Sequence, residues 1–490
     1  MTDYGNEKKV SASITFSLTL PEFLIAEVFD GIARLDCYLD AVELTVHPRS
    51  GIPLRLFRDT LGKVLFASLE EPLRLTRQST ISNVPLSESE FQALVNQVGS
   101  TFIGIAGVHR FLKYLRVPEP PPEIFNLLRE IQDAFPDAGI SKNETDVLLS
   151  ETFNYGEIDL HTAIEWQLQQ AKILKTMPGQ ETIVIILPYA QVSNPLMWTI
   201  ISHEIGHFAE KYYSLGKKVL GKVLGCTPDK VTEGTELDWV EELISDAVAT
   251  RLLGPAYLFS FVSFTILQSS LGRPSVTHPS ELSRVRVAFN ELKRTCLSDT
   301  VPIATGITTK IVQLFEEKFS FNAKYLGDKH LGPSKIHNRP IDDVVGLIGQ
   351  ELEGLKIGKI SNESLVRAEA LATALAKGQP VSALRKERTD LQSKVEGLRR
   401  DLDAGKTVDA DIRKTFFEIR DCMVEKPSTC AEIINAGYIY RYQHVLPHIL
   451  DCLAGPTVAE YGSEHKKTIN QIDRLLKVSL QGMEIHKLFL

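Results

Sequence analysis

Two histidines four residues apart flank a glutamate in the run His203-Glu204-Ile205-Gly206-His207. On a helix, positions i and i+4 share a face, so both imidazoles can grip one cation. Glu204 lies about 100° round the helix from His203 and can face a water on that cation without being a ligand. Composition alone yields such a pentapeptide in roughly one or two chains per hundred of this length. A catalytic zinc takes three protein ligands and keeps a fourth position open, and two histidines with one glutamate are a known set. The missing carboxylate stands in Trp239-Val240-Glu241-Glu242-Leu243-Ile244-Ser245-Asp246, about thirty-five residues on. Glu242 and Asp246 are again four apart, inside an apolar pattern of Leu243, Ile244, Ala247, Val248 and Leu252. Glu242 is the expected third ligand. Asp246 can accept from the free ring nitrogen of a liganding histidine, as metal-bound histidines require. Glu241 is the rival ligand, less well placed because it shares the face of Asp246 poorly.

Taken together, these segments resemble a family. H-E-I-G-H followed by E-L-I-S-D is similar to the gluzincin metallopeptidases, whose third zinc ligand is a glutamate. The segment Thr277-His278-Pro279-Ser280-Glu281-Leu282-Ser283-Arg284 resembles the H-P-x-x-x-x-R motif of the CAAX prenyl protease and HtpX-like family. The stretch from Glu242 to Pro255 is also similar to the ImmA/IrrE-type regulatory metallopeptidases. The likeness spans roughly residues 180 to 290. It implies Zn²⁺ on His203, His207 and Glu242, with Glu204 as general base and Asp246 bonded to His203. It also implies that His278 and Arg284 lie at the cleft, against substrate or the developing oxyanion. The implied activity is hydrolysis of peptide bonds in a peptide or protein substrate. The alternative is a catalytically silent zincin-fold regulator or scaffold acting through its flanking regions.

The elements that must position these residues can be read from caps and breakers. Ser193-Asn194-Pro195 is a capping sequence before proline at the first helical position, so a helix is expected from Pro195 to about Tyr213. A second is expected from Trp239 to Leu253, stopped by Gly254-Pro255. Thr182 to Leu187 is a β-branched run ended by Pro188; it reads as a buried strand forming the edge of the cleft, where an extended peptide adds by strand pairing. Near the N-terminus, Ser11 to Leu20 alternates polar and apolar residues, and Leu54–Phe57 and Lys63–Phe66 look like further strands. The proline run from Pro118 to Pro122 marks a boundary. Helices are expected over Glu123–Ala134, Leu160–Lys175 and Asn362–Lys377. A heptad-like stripe of Leu384, Leu391, Val395, Leu398 and Leu402 follows. The resulting expectation is an α+β fold: a zincin-like core with a mixed sheet and active-site helices over 118–325. An N-terminal α/β region (1–117) and a mostly helical C-terminal region (326–490) flank it.

With 490 residues the chain is too long for one compact core. Its net charge of −8 and the lack of long basic runs argue against a nucleic-acid partner. The six cysteines have no C-x-x-C spacing, which disfavours a zinc ribbon or a disulfide framework. Members of the resembled family usually carry transmembrane helices. The most apolar stretch here, Ala256 to Leu267, is about a dozen residues where roughly twenty are needed to span a bilayer. A soluble, cytoplasmic relative is therefore expected. His444 and His448, split by Pro447, and the loop histidines His330 and His337 are weaker candidates for chemistry. Asn435-Ala436-Gly437-Tyr438 has no evident chemical role.

Overall fold

The computed structural model describes residues 18–45, 65–112, 120–136, 145–150, 156–159, 183–188, 191–267, 274–326, 335–337, 339–385, 400, 424–452 and 458–489. The expected strand over Ser11–Leu20 falls mainly outside them, but its last residue, Leu20, opens α1 (Leu20–Thr45), a 26-residue helix. Phe23, Leu24, Ile25, Ala26, Val28 and Phe29 are all buried. A helix apolar round most of its circumference must be covered on several sides. Leu65 and Phe66, also expected in a strand, are helical, while Leu54–Phe57 lies outside the described residues.

Two helices, α2 (Glu70–Ser82) and α3 (Glu88–Leu112), precede α4 (Glu123–Asp133). Three short strands follow: β1 (Thr145–Ser150), β2 (Gly156–Asp159) and β3 (Ile183–Pro188). A 3₁₀ turn over Pro195–Ile200 leads directly into α5 (Ile201–Tyr213). Then come α6 (Leu215–Leu224), α7 (Thr235–Leu253), α8 (Pro255–Thr265), α9 (Glu281–Thr295) and α10 (Pro302–Leu326). The rest of the described chain comprises α11 (Ile341–Gly354), α12 (Asn362–Ala376), α13 (Cys430–Tyr440), a π turn over Arg441–Val445, α14 (Leu446–Cys452) and α15 (Val458–Phe489). Two minor pairings, Lys335–Ile336 with Arg339–Pro340 and Ala383–Arg385 with Val424–Pro427, complete it. The chain is therefore mostly α, and the expected α+β architecture around a mixed sheet is overturned. Helices that are buried on several faces carry the core, and among the described residues strands of four to six residues form one three-stranded sheet.

That sheet corrects a second expectation. β3 forms where the β-branched run predicts, but it is the central strand: β1 pairs parallel on one side and β2 antiparallel on the other. Both its hydrogen-bonding edges are used, so it cannot add a peptide strand. The expected helix over Leu160–Lys175 lies outside the described residues, as do Leu391, Val395, Leu398 and Leu402 of the heptad stripe; Leu384 sits in a short strand. Among the described residues no helix is long and apolar enough to cross a membrane.

The first and last described helices meet. α1 packs on α3, α14 and α15, and buried ion pairs fix its position. Arg441 Nη2 lies 2.9 Å from both Glu27 Oε2 and Asp30 Oδ2. Arg34 reaches Asp473 at 2.8 Å, and His465 Nε2 meets Asp30 at 3.1 Å. Burial disfavours the charge on Asp30, but Arg34 and Arg441 outweigh it and hold its carboxyl well below the carboxylate range. Buried charges persist only in such company, because removing one partner strands the other without water.

Candidate metal centre

The centre is built where α5 crosses α7. On α5, His203, Gly206 and His207 fall at i, i+3 and i+4, and on α7 so do Glu242, Ser245 and Asp246; each trio forms one helical face. The faces meet because Gly206 has no side chain. A Cβ there would lie 2.8 Å from Ser245 Cα and 2.9 Å from Ser245 O, closer than real atoms approach. The glycine inside the histidine motif thus sets the backbone separation that lets Glu242 reach both histidines.

His203 Nε2 and His207 Nε2 are 3.0 Å apart. Glu242 Oε2 lies 3.4 Å from His203 Nε2, and Glu242 Oε1 lies 3.2 Å from His207 Nε2. Three ligands of a tetrahedral zinc, each about 2.0–2.2 Å from the metal, stand about 3.3 Å from one another. The observed triangle has that size, and these three residues form a metal-capable group among the described residues. Glu242 Oε2 is buried and makes no hydrogen bond, its 3.4 Å approaches to His203 and Arg284 being contacts of charge only. A buried acceptor left in that state is costly, and a cation between the three residues would satisfy it. Residues and site therefore fit a metal of zinc's coordination, although imidazole and carboxylate donors also suit other transition ions.

A second layer orients the first. Asp246, 1% exposed, has Oδ1 at 3.0 Å from His203 Nδ1, the ring nitrogen turned away from the metal position. It also accepts from Arg284, through Nε to Oδ2 at 2.7 Å and Nη2 to Oδ1 at 2.8 Å. Arg284 is clasped further by Phe261, whose ring lies 4.6 Å beneath the guanidinium, and by Glu242 at 3.4 Å. Burial works against charge on both carboxyls. The Arg284 charge outweighs it, holding Asp246 down to about 2 and Glu242 well below the carboxylate range. Burial also disfavours the His203 imidazolium, but Asp246 and Glu242 together push its pKa up to about 10. In the metal-free protein this position therefore attracts a positive charge.

Tyr257 is a member of this layer that sequence reasoning missed. Its hydroxyl donates to Asp246 Oδ1 and lies 3.3 Å from His203 Nδ1, and its ring is stacked parallel to the His203 ring. No motif announces it, but Gly254-Pro255 does place it in the first turn of a new helix beside the end of α7. The corner between the helices is pinned by Asn435, which accepts from Ala256 N and donates to Leu253 O at 2.8 Å. That gives the Asn435 segment a positioning role. Tyr257→Phe removes one donor from Asp246 and is expected to weaken zinc binding about 10-fold, with Asp246→Ala nearer 100-fold. Competition with a chromogenic chelator measures both, circular dichroism checks that the helices survive, and equal affinity in all three proteins contradicts the assignment.

The structure brings His203, His207, Glu242, Asp246, His278 and Arg284 together at this crossing. Glu241, the rival ligand, lies about 100° round α7 from Glu242, with its side chain against Gly216 of α6. Burial, with Glu210, Asp238 and Glu233 nearby, raises its pKa to about 7. Glu204 is buried on α5 beside His203. His278 Nε2 is 3.4 Å from Glu242 Oε1, on the open side of the centre, and the residue is half exposed. Its loop is braced: His278 N donates to Ser275 Oγ, Thr277 Oγ1 lies 2.7 Å from His278 Nδ1, and Trp239 Nε1 donates to Ser275 O. Burial, the largest influence, lowers the His278 pKa; Glu242 opposes that shift and Arg284 adds to it. Ser280 caps α9, so the chain turns between His278 and Arg284 and presents both to α7. His337, His444 and His448 are exposed and belong to no metal-capable group among the described residues, and His330 lies outside them. No family model, curated protein or solved structure matches the chain, so its chemistry must be read from this centre.

Proposed function

We propose that this chain is a zinc-dependent peptide hydrolase of gluzincin type, acting in the cytoplasm on peptide or protein substrates. The observation that carries the reading is the crossing itself: two imidazoles and a carboxylate converge at tetrahedral ligand spacing, and Glu204 follows the first histidine on the same helix. His203, His207 and Glu242 would hold the zinc, which when bound would supply a Lewis acid to activate water and polarise a carbonyl. Glu204 takes the proton from the attacking water and returns it to the leaving amine. His278, neutral near pH 7 because its pKa is lowered, can donate to the oxyanion through Nε2. Arg284 holds rather than binds substrate, because its donors are engaged by Asp246 and Glu242. Asp246 and Tyr257 keep the His203 ring fixed, so no reorientation is needed during the reaction.

The test is digestion of an unbiased peptide pool before and after chelation. Cleavage that is lost with chelator and restored by stoichiometric zinc is the expected result. A metal-loaded protein that cleaves nothing points instead to a silent scaffold, and cleavage indifferent to chelation contradicts metal chemistry altogether.

A further inference from the structure

Away from the metal centre, a cavity of about 270 Å³ lies between α3 and α10, lined by Gln92, Asn96 and Ile103 from the first and Lys318 and Phe321 from the second. Glu88 pairs with Lys324 and the Phe91 ring packs edge-on against Phe321, so the two helices are closed together at one end of it. Lys318 is 2% exposed. Its ammonium donates once, to Asn322 Oδ1 at 2.9 Å, and lies 6.0 Å from the Phe321 ring. No carboxylate lies against it among the described residues. An ammonium has three donors, and an ion buried without a counter-charge is among the costliest groups a protein can hold. Burial alone accordingly pulls the Lys318 pKa down to about 8. On the opposite wall Gln92 donates to Asn96, but its Oε1 is buried with no hydrogen-bond partner. The cavity therefore offers a cation seeking an anion, an acceptor seeking a donor, and apolar walls from Val95, Ile103 and Leu267.

We propose that this cavity binds a small aliphatic carboxylic acid bearing a hydroxyl or amino group, with the carboxylate on Lys318 Nζ, the donor on Gln92 Oε1 and the aliphatic chain against the apolar wall. A volume just below the usual range for ligand pockets suits a molecule of amino-acid size. The site does not depend on the metal centre.

The experiment titrates the full chain with L-leucine and with L-leucinamide, which keeps the amine and side chain but lacks the carboxylate, by calorimetry. Acetylation of Lys318 by acetic anhydride, read by mass spectrometry, locates the event. Leucine is expected to bind about 10–100-fold more tightly than the amide, as a charge-assisted bond warrants, and to slow acetylation of Lys318 while the amide does not. Lys318→Met is expected to remove that preference. Equal binding of acid and amide, no binding of leucine at millimolar concentration, or leucine binding that leaves Lys318 acetylation unchanged overturns the proposal. If Lys318→Met does not fold, the wild-type comparison and the footprint still decide. Neither readout involves peptide cleavage, so failure here and failure of the hydrolase reading remain separate.

Discussion

Glu204→Gln is expected to slow peptide hydrolysis by about 10²–10⁴-fold, the usual contribution of a positioned general base, while zinc content stays at that of the wild type. The amide has nearly the shape of the carboxylate but cannot accept the proton of an attacking water. Glu204 is not part of the metal-capable triad, so the substitution leaves His203, His207 and Glu242 in place. The split between retained metal and lost turnover separates a base from a ligand, since removal of a ligand lowers both together. Paired metal analysis and single-turnover cleavage on one preparation measure it. Equal cleavage by the two proteins would remove Glu204 from the mechanism.

Gly206→Ala is expected to reduce zinc affinity by about 100-fold or more, although alanine is the better helix former. The new methyl would meet Ser245 Cα and O at under 3 Å, and those are backbone atoms that cannot rotate away. Relief requires α5 and α7 to separate, which withdraws Glu242 from histidines that it now approaches at 3.2 and 3.4 Å. A displacement of about 1 Å is enough to cost two orders of magnitude at a site whose function is geometric. Ser245→Gly should not rescue it, because the closest obstructing atoms are main chain. Zinc affinity by chelator competition, with a thermal melt to show that the fold persists, tests this. Wild-type affinity in the alanine variant would mean that the crossing is looser than the structure shows.

These effects explain which parts of the molecule the sequence discloses. Helices that carry the site announce themselves through local chemistry: Gly254-Pro255 ends α7 and starts α8, and spacings of four put His203 with His207 and Glu242 with Asp246. The crossing is legible only in part. Nothing in a linear pattern says that Gly206 faces Ser245, yet the glycine between the histidines is the visible trace of that contact. The sheet was poorly legible for a different reason. β3 carries its own signal, but its central position depends on pairing with β1 and β2, decided by residues far away in sequence. At the N-terminus the alternating run lies mainly outside the described residues, and its last residue, Leu20, opens a helix that the core buries on several faces. Tyr257 has no sequence signal, and the Asn435 segment stands out without a role, because each acts across a corner between helices, through one hydroxyl or one amide rather than a motif.

The central claim is that His203, His207 and Glu242 hold one zinc ion per chain. Elemental analysis combined with X-ray absorption at the zinc edge, on protein never exposed to chelator, tests it most directly. The account predicts about one zinc per chain with two nitrogen ligands at about 2.0–2.1 Å and oxygen completing the shell, and loss of that signal in Glu242→Ala. Protein that carries no zinc, or zinc whose signal is unchanged in Glu242→Ala, would contradict it.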